Sequence, residues 1–265
     1  MKKVDMHIHG NFSFDSAIDY KAMCEMAIEK NYQCIAFTEH FDLIDSELAH
    51  WGLPPLKRYF NELEIVKKEF PELEVITGIE LGEPHRVMDF AERLFSAGNI
   101  APEYIIGSLH VTRSGINVSM KIEKPLTDAD IRMYYEENLE MVQKGGFDTL
   151  GHLGIYKRGL YDMTVPSEEH VNHIIDEIFR EMIKRNIILE VNNSGLKSKY
   201  NDLIPDVKTL ARYKKMGGEL LTISSDSHDL EHFDRFYNKT LDKLNEVGFS
   251  CLHWKRFGSI RSFSI

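Results

Sequence analysis

The chain has 265 residues and a formal charge of −10 at neutral pH, enough for one large α/β domain with a sizeable core. That charge opposes the lysine- and arginine-rich stripe a phosphate backbone requires, so nucleic acid is disfavoured as a partner, although bound cations can still attract a small phosphate. No stretch approaches the ~20 apolar residues of a membrane span, and His7 comes too soon for a signal peptide, so a cytoplasmic protein is expected.

Residues 4–8 form an apolar run closing in His7-Ile8-His9, whose alternate spacing puts both imidazoles on one strand face. Asp15 follows in the loop Phe12-Ser13-Phe14-Asp15-Ser16, and Asp19 signals the start of a helix over 20–30. A run at 34–38 leads into Glu39-His40, and an amphipathic helix is expected over 56–70. The run at 75–79 ends in Glu80 and precedes a helix over 85–97, and the run at 104–109 ends in His110. A helix over 128–144, entered at Thr127 and stopped by Gly145-Gly146, leads to a short run at 149–151 before His152. Helices over 167–184 and 204–215 alternate with runs at 187–192 and 220–224, the last closing in Asp226 and His228. A final helix spans 231–247. Residues 249–265 read as a packing extension, with a functional lid as the alternative.

Seven alternations of strand and helix argue for a parallel sheet. An open doubly wound sheet concentrates its chemistry at one switch point, whereas a barrel gathers it from many strand ends. Here most runs end in a polar donor, and there is no Gly-x-Gly-x-x-Gly turn or Walker-type lysine loop. The expected fold is therefore a distorted (β/α)7 barrel, in a single domain over 1–265. The cysteines Cys24, Cys34 and Cys251 form no Cys-x-x-Cys pair and offer neither a disulfide framework nor a thiolate zinc site.

The candidate metal donors are His7, His9, Asp15, His40, Glu80, His110, His152, Asp226 and His228. All are nitrogen or oxygen donors, a set that suits zinc, iron or manganese and suffices for two or three ions. Any one of them alone could equally be an inert buried polar residue.

Asp5-x-His7-x-His9, Thr38-Glu39-His40, Gly78-Ile79-Glu80, Gly107-Ser108-Leu109-His110, Gly151-His152 and Ser225-Asp226-Ser227-His228 resemble the ordered motifs of the PHP (polymerase and histidinol phosphatase) superfamily. Within it, Gly107–His110 together with Glu190-Val191-Asn192-Asn193-Ser194-Gly195-Leu196 is most similar to the histidinol-phosphate phosphatases. The resemblance implies a distorted (β/α)7 barrel with a trinuclear centre. His7, His9, Glu80 and Asp226 would hold one ion, and Glu80 would bridge to a second held by His110 and His152. Asp15, His40 and His228 would hold the third; some members have histidine where Asp15 stands. Asp5 and Glu39 look like residues that orient imidazoles.

The expected reaction is hydrolysis of a phosphomonoester, L-histidinol phosphate above others, by a metal-activated water. Glu80, Asp226, His228 and Arg158 are the candidate catalytic residues. Arg158 is the first choice for gripping phosphate because a guanidinium forks onto two oxygens; Lys157, Lys197, Asn192 and Ser194 are further candidates. Glu83, Asp42 and Asp229 are rim carboxylates that could meet the ammonium and imidazole of the substrate. His50, His85, His170, His173, His232 and His253 read as packing or surface residues, although His170 and His173 at i,i+3 could share a stray metal. The alternatives are action on nucleotides or other small phosphate esters, a non-catalytic metal-binding barrel, and amidohydrolysis on a related barrel. Neither a Gly-x-Ser-x-Gly elbow nor a His-Glu-x-x-His helix is present.

Overall fold

The computed structural model describes residues 2–43, 53–161 and 163–265; His50 lies outside them. Seven parallel strands follow one another around the sheet in sequence order: β1 (Lys3–Ile8), β2 (Tyr32–Phe41), β3 (Glu74–Gly82), β4 (Tyr104–Ser108), β5 (Thr149–Leu150), β6 (Ile188–Asn192) and β7 (Leu221–Ser224). Nearly every residue of these strands is buried. That is the burial expected of strands covered on both faces, and it explains why they read as continuous apolar runs. β1 and the end of β7 are joined through Ile8 beside Ser227, Asp226 N–H on His7 O (2.9 Å) and His9 N–H on Ser227 O (3.0 Å). The barrel is thus nearly closed.

The helices lie between the strands: α1 (Tyr20–Glu29), α2 (Leu53–Glu69), α3 (Pro84–Gly98), α4 (Asp128–Lys144), α5 (Tyr156–Gly159), α6 (Asn172–Arg185), α7 (Val207–Lys215) and α8 (Tyr237–Val247). Their ends follow local chemistry. Asp19 accepts from Lys21 N and Ala22 N at the start of α1, and Thr127 and Asp130 form a reciprocal capping box on α4. Asn99, Asn186 and Gly248 end α3, α6 and α8 in the left-handed region, which frees N–H groups to bond the last carbonyls. None of the described helices is long and apolar enough to cross a membrane.

Two expected helix starts need correction. The helix expected over 167–184 starts as a 3-10 turn at Glu169–Val171 and becomes α-helical only at Asn172; that expected over 231–247 begins at Tyr237. The segment holding Lys157 and Arg158 is the short helix α5. The tail is an antiparallel hairpin, β8 (Cys251–Arg256) with β9 (Ser259–Ser264), joined by Phe257-Gly258 with both φ positive, as a two-residue hairpin turn requires. Arg256 pairs with Glu74 and Glu103, and Lys255 lies 3.8 Å from Asp148, all at the N-terminal ends of β3, β4 and β5. The tail therefore packs under the barrel, opposite the histidines, and is not a lid.

Candidate metal centre

His7 lies in β1 and His9 follows it, His40 and Glu80 lie near the ends of β2 and β3, His110 and His152 follow β4 and β5, and Asp226 and His228 follow β7. Asp15 comes from the loop between β1 and α1. All nine converge on the C-terminal end of the barrel, in three overlapping groups.

In the first, His7 Nε2 lies 2.9 Å from His9 Nε2, 3.3 Å from Glu80 Oε2 and 3.7 Å from Asp226 Oδ1. His9 Nε2 lies 3.5 Å from Glu80 Oε2 and 3.2 Å from Asp226 Oδ1. In the second, Glu80 Oε1 lies 3.0 Å from His110 Nε2 and 2.8 Å from His152 Nε2. In the third, Asp15 Oδ2 lies 3.5 Å from His40 Nε2 and 3.2 Å from His228 Nε2, and the two nitrogens are 3.4 Å apart. Glu80 Oε2 also approaches His40 Nδ1 at 2.9 Å, which ties the groups together.

Donor spacing decides whether these side chains suit a metal. Four nitrogen and oxygen donors at ~2.1 Å from one ion stand ~3.4 Å apart in a tetrahedron. The distances of the first and third groups scatter around that value. Glu80 Oε2 is buried without a hydrogen-bond partner although it faces ring nitrogens of His7, His9 and His40. A buried carboxylate oxygen left so is costly unless a cation serves it. The residues fit a cluster of divalent ions.

Protons partly stand in for such cations. Burial would pull the imidazoles of His7 and His110 down, but Glu80 with Glu190 and Asp226 in one case, and Glu80 with Asp42 in the other, raises both well above the ordinary range. Burial likewise opposes ionisation of Glu80 and Asp226, and the surrounding imidazoles outweigh it and hold both well below the usual carboxylate range. His9, buried beside His40 and His228, is held low and so keeps a lone pair. Ion binding would displace protons from this set.

The supporting contacts are equally specific. Ser108 Oγ donates to Glu80 Oε1 at 2.7 Å, and it has room because residue 151 is glycine: a Cβ there would stand 2.3 Å from that hydroxyl. Asp42 Oδ1 lies 2.9 Å from His110 Nδ1, with Gly82 leaving space for it. Glu39 accepts from Gly10 N, Tyr20 Oη and Ser13 Oγ, and Ser13 in turn contacts His9 Nδ1 at 3.1 Å. Glu39 thus reaches an imidazole only through Ser13. Asp5 touches no imidazole: its Oδ1 accepts from the backbone of His7 and Ser225 (3.2 and 3.1 Å), bracing β1 against β7.

Among the cations, Arg158 reaches the centre. Its Nη1 donates to Asp226 Oδ2 and Ser194 Oγ, both at 2.8 Å, while Asn192 Oδ1 accepts from Ser194 Oγ at 2.6 Å. Asn192 is fully buried, and its Oδ1 also accepts from Ser194 N at 3.0 Å. Lys157 is corrected: it is buried with its ammonium 2.8 Å from both Glu168 and Asp206, so its charge is already neutralised. Lys197 is exposed and meets His232, which pairs with Asp229. Two rim carboxylates are also corrected. Asp42 serves His110, and Glu83 is buried, its Oε1 accepting from His110 N and Val111 N at 2.7 Å each. Asp229 alone keeps a half-exposed carboxylate. His170 contacts Asp128 O, and His170 and His173 form no metal-type group among the described residues.

Glu190 was legible only as part of a motif, yet it is fully buried, with Oε1 2.6 Å from His7 Nδ1 and Oε2 accepting from His152 N at 2.5 Å. The available signal was a lone carboxylate inside the apolar run 187–192, a residue that cannot be buried without strong partners.

The side chains of His7 and His9 are inaccessible, whereas those of His228, Arg158 and Asp15 are 26%, 27% and 36% exposed. The centre therefore opens on the side of Asp15, His228 and Arg158.

The chain is similar to "Probable histidinol-phosphatase" of Clostridium acetobutylicum, 26% identical over 234 residues covering 84% of this chain and 86% of that protein. It is 28% identical over 267 residues to "Histidinol-phosphatase" of Lactococcus lactis, covering 94% and 93%. The crystal structure of histidinol phosphate phosphatase from Lactococcus lactis, complexed with zinc, L-histidinol and phosphate, shares the fold: TM-score 0.82 at 24% identity, over 98% of this chain and 100% of that one. The family model described as PHP domain matches residues 5–194, well over half of the sequence, and the chain belongs to the PHP domain family.

Proposed function

We propose that this protein is a metal-dependent phosphomonoesterase whose substrate is L-histidinol phosphate, serving histidine biosynthesis. The observation that carries the reading is the Glu80 carboxylate between five imidazoles, with an arginine docked on the neighbouring Asp226. His7, His9, Glu80 and Asp226 would hold one divalent ion, Glu80, His110 and His152 a second, and Asp15, His40 and His228 a third. When bound, such ions supply Lewis acidity toward phosphoryl oxygens and a water acidic enough to act as nucleophile near neutral pH.

The protein's own groups do the rest. Asp226 and Ser194 fix the Nη1 edge of Arg158, so that the guanidinium meets a phosphate at the open side with its orientation already set. The partly exposed Asp229, next in the chain to His228, offers a carboxylate for a cationic leaving group. The zinc, histidinol and phosphate in the Lactococcus lactis structure and the names of the curated relatives support the same substrate. On this reading the chain acts as one catalytic domain over 1–265, with the hairpin as an extension.

The test is phosphate release from L-histidinol phosphate beside a panel of other monoesters and nucleotides, with protein reconstituted in zinc, manganese or iron. Fast, selective hydrolysis of histidinol phosphate is expected. Activity confined to other esters would keep the phosphoesterase and remove the substrate; none with metal bound would leave a non-catalytic barrel.

A further inference from the structure

We propose that Glu190 is a positioning residue for two metal ligands at once, His7 and His152, and that only a carboxylate can fill the role; this rests on the metal-centre reading above. From β6 its two oxygens reach across the barrel interior in different directions, Oε1 to the ring of His7 on β1 and Oε2 to the backbone N–H of His152 after β5. The side chain is wholly buried, and Glu190 belongs to none of the donor groups found among the described residues. Its contacts therefore lie behind the ligands.

The proton positions follow from what each partner can do. A backbone N–H can only donate, so Oε2 is an acceptor. His7 Nε2 faces Glu80 Oε2, Asp226 Oδ1 and His9 Nε2, and must be bare to bind an ion. The His7 proton then sits on Nδ1 and is donated to Oε1, so Glu190 selects the tautomer that ligates. Glutamine has one acceptor oxygen in place of two. If its NH2 faces His152, donor meets donor. If it faces His7 Nδ1, that nitrogen must accept, the ring proton moves to Nε2, and the position of the ion is blocked.

The experiment compares wild type with Glu190→Gln by zinc affinity, by the visible spectrum of the cobalt-loaded proteins and by melting of the metal-free proteins. A folded Glu190→Gln protein should bind metal about 10–100-fold more weakly, with altered cobalt bands. Wild-type zinc affinity and an unchanged cobalt spectrum, even with a lower metal-free melting temperature, would reduce Glu190 to a structural ion pair and overturn the proposal. Should the variant not fold, ring 15N–1H correlations of His7 in the zinc-loaded wild type decide it: a proton on Nδ1 supports the assignment, and a bare Nδ1 refutes it. If the wild type binds no zinc, the metal-centre reading itself fails and takes this inference with it, an outcome distinct from a zinc-binding wild type matched by its variant.

Discussion

Replacing Glu80 by alanine removes a donor from two groups together. Its Oε2 lies within 3.5 Å of nitrogens of His7, His9 and His40, and its Oε1 within 3.0 Å of His110 and His152, whose Nε2 atoms would be left without a carboxylate between them. The metal-free variant should still fold, because Glu190 and Asp226 still pair with His7 and Asp42 with His110, and an imidazole left without Glu80 can be buried neutral where an unpaired carboxylate cannot. The cost falls on the ions. Losing a supporting partner costs about 10–100-fold in affinity, so loss of a donor shared by two sites should exceed that, on the order of 1,000-fold. Free zinc at about 1,000 times the wild-type dissociation constant stabilises the fold by about 4 kcal/mol, and the weakened variant by only about 0.4 kcal/mol. At roughly 2–4 °C per kcal/mol, the zinc-induced rise in melting temperature should fall from about 8–16 °C to about 1 °C. Differential scanning calorimetry over a zinc titration, with metal content by elemental analysis and phosphate release on the same samples, measures this directly. An undiminished thermal shift with full metal content and activity would refute the bridging role.

Arg158→Ala should leave metal content intact and raise KM for histidinol phosphate roughly 10- to 150-fold, the loss of ~1.5–3 kcal/mol of charge-assisted hydrogen bonding. An unchanged KM in steady-state assays would move the phosphate contact to Lys197, since Lys157 is already neutralised by Glu168 and Asp206. Glu83 offers a stability test: burial lifts its carboxyl to about 6 from an ordinary 4.5, against the opposing pull of His110 and its backbone donors. A raised carboxyl means that the folded state keeps its proton longer than the unfolded one. Its contribution is therefore neutral below pH 4.5 and becomes a cost of about 2 kcal/mol as pH rises past 6. Glu83→Gln keeps an oxygen for the two N–H groups of His110 and Val111, so in urea titrations of the metal-free protein its stability should gain on wild type across that window. A difference between the two that does not change with pH would show that Glu83 does not titrate there.

The parts of this centre that were legible from the chain are those fixed by the strand period and the barrel. An apolar run that ends in His, Glu or Asp delivers that residue to the C-terminal rim, so eight of the nine donors could be named without knowing which strand adjoins which; Asp15, in a loop, rested on the resemblance. What lies behind them was not legible, because it depends on contacts between residues far apart in the chain. Asp5 and Glu190 are both acids inside apolar runs, yet one accepts from backbone at the seam and the other from a ring 183 residues away. Lys157 and Arg158 are adjacent, but on a helix neighbours point ~100° apart. One turns into Glu168 and Asp206, and the other onto Asp226. The hairpin was missed because Phe257 occupies a turn position where Asn or Asp would have announced it.

The same seam explains why the donors sit where they do. The backbone hydrogen bonds that join β1 to the end of β7 are made by His7, His9, Asp226 and Ser227, which are candidate ligands or their neighbours. Asp226 takes a left-handed conformation there (φ 53), which aspartate tolerates better than most residues and which lets its N–H reach back to His7 while its carboxylate faces the histidines. Asp5 braces the same joint from below and, being buried, has its carboxyl raised to about 7. His7 and His9 come from one side of the seam and Asp226 from the other, so an ion held by these three would cross it. Closing the barrel and assembling the centre are, in this chain, one structural event.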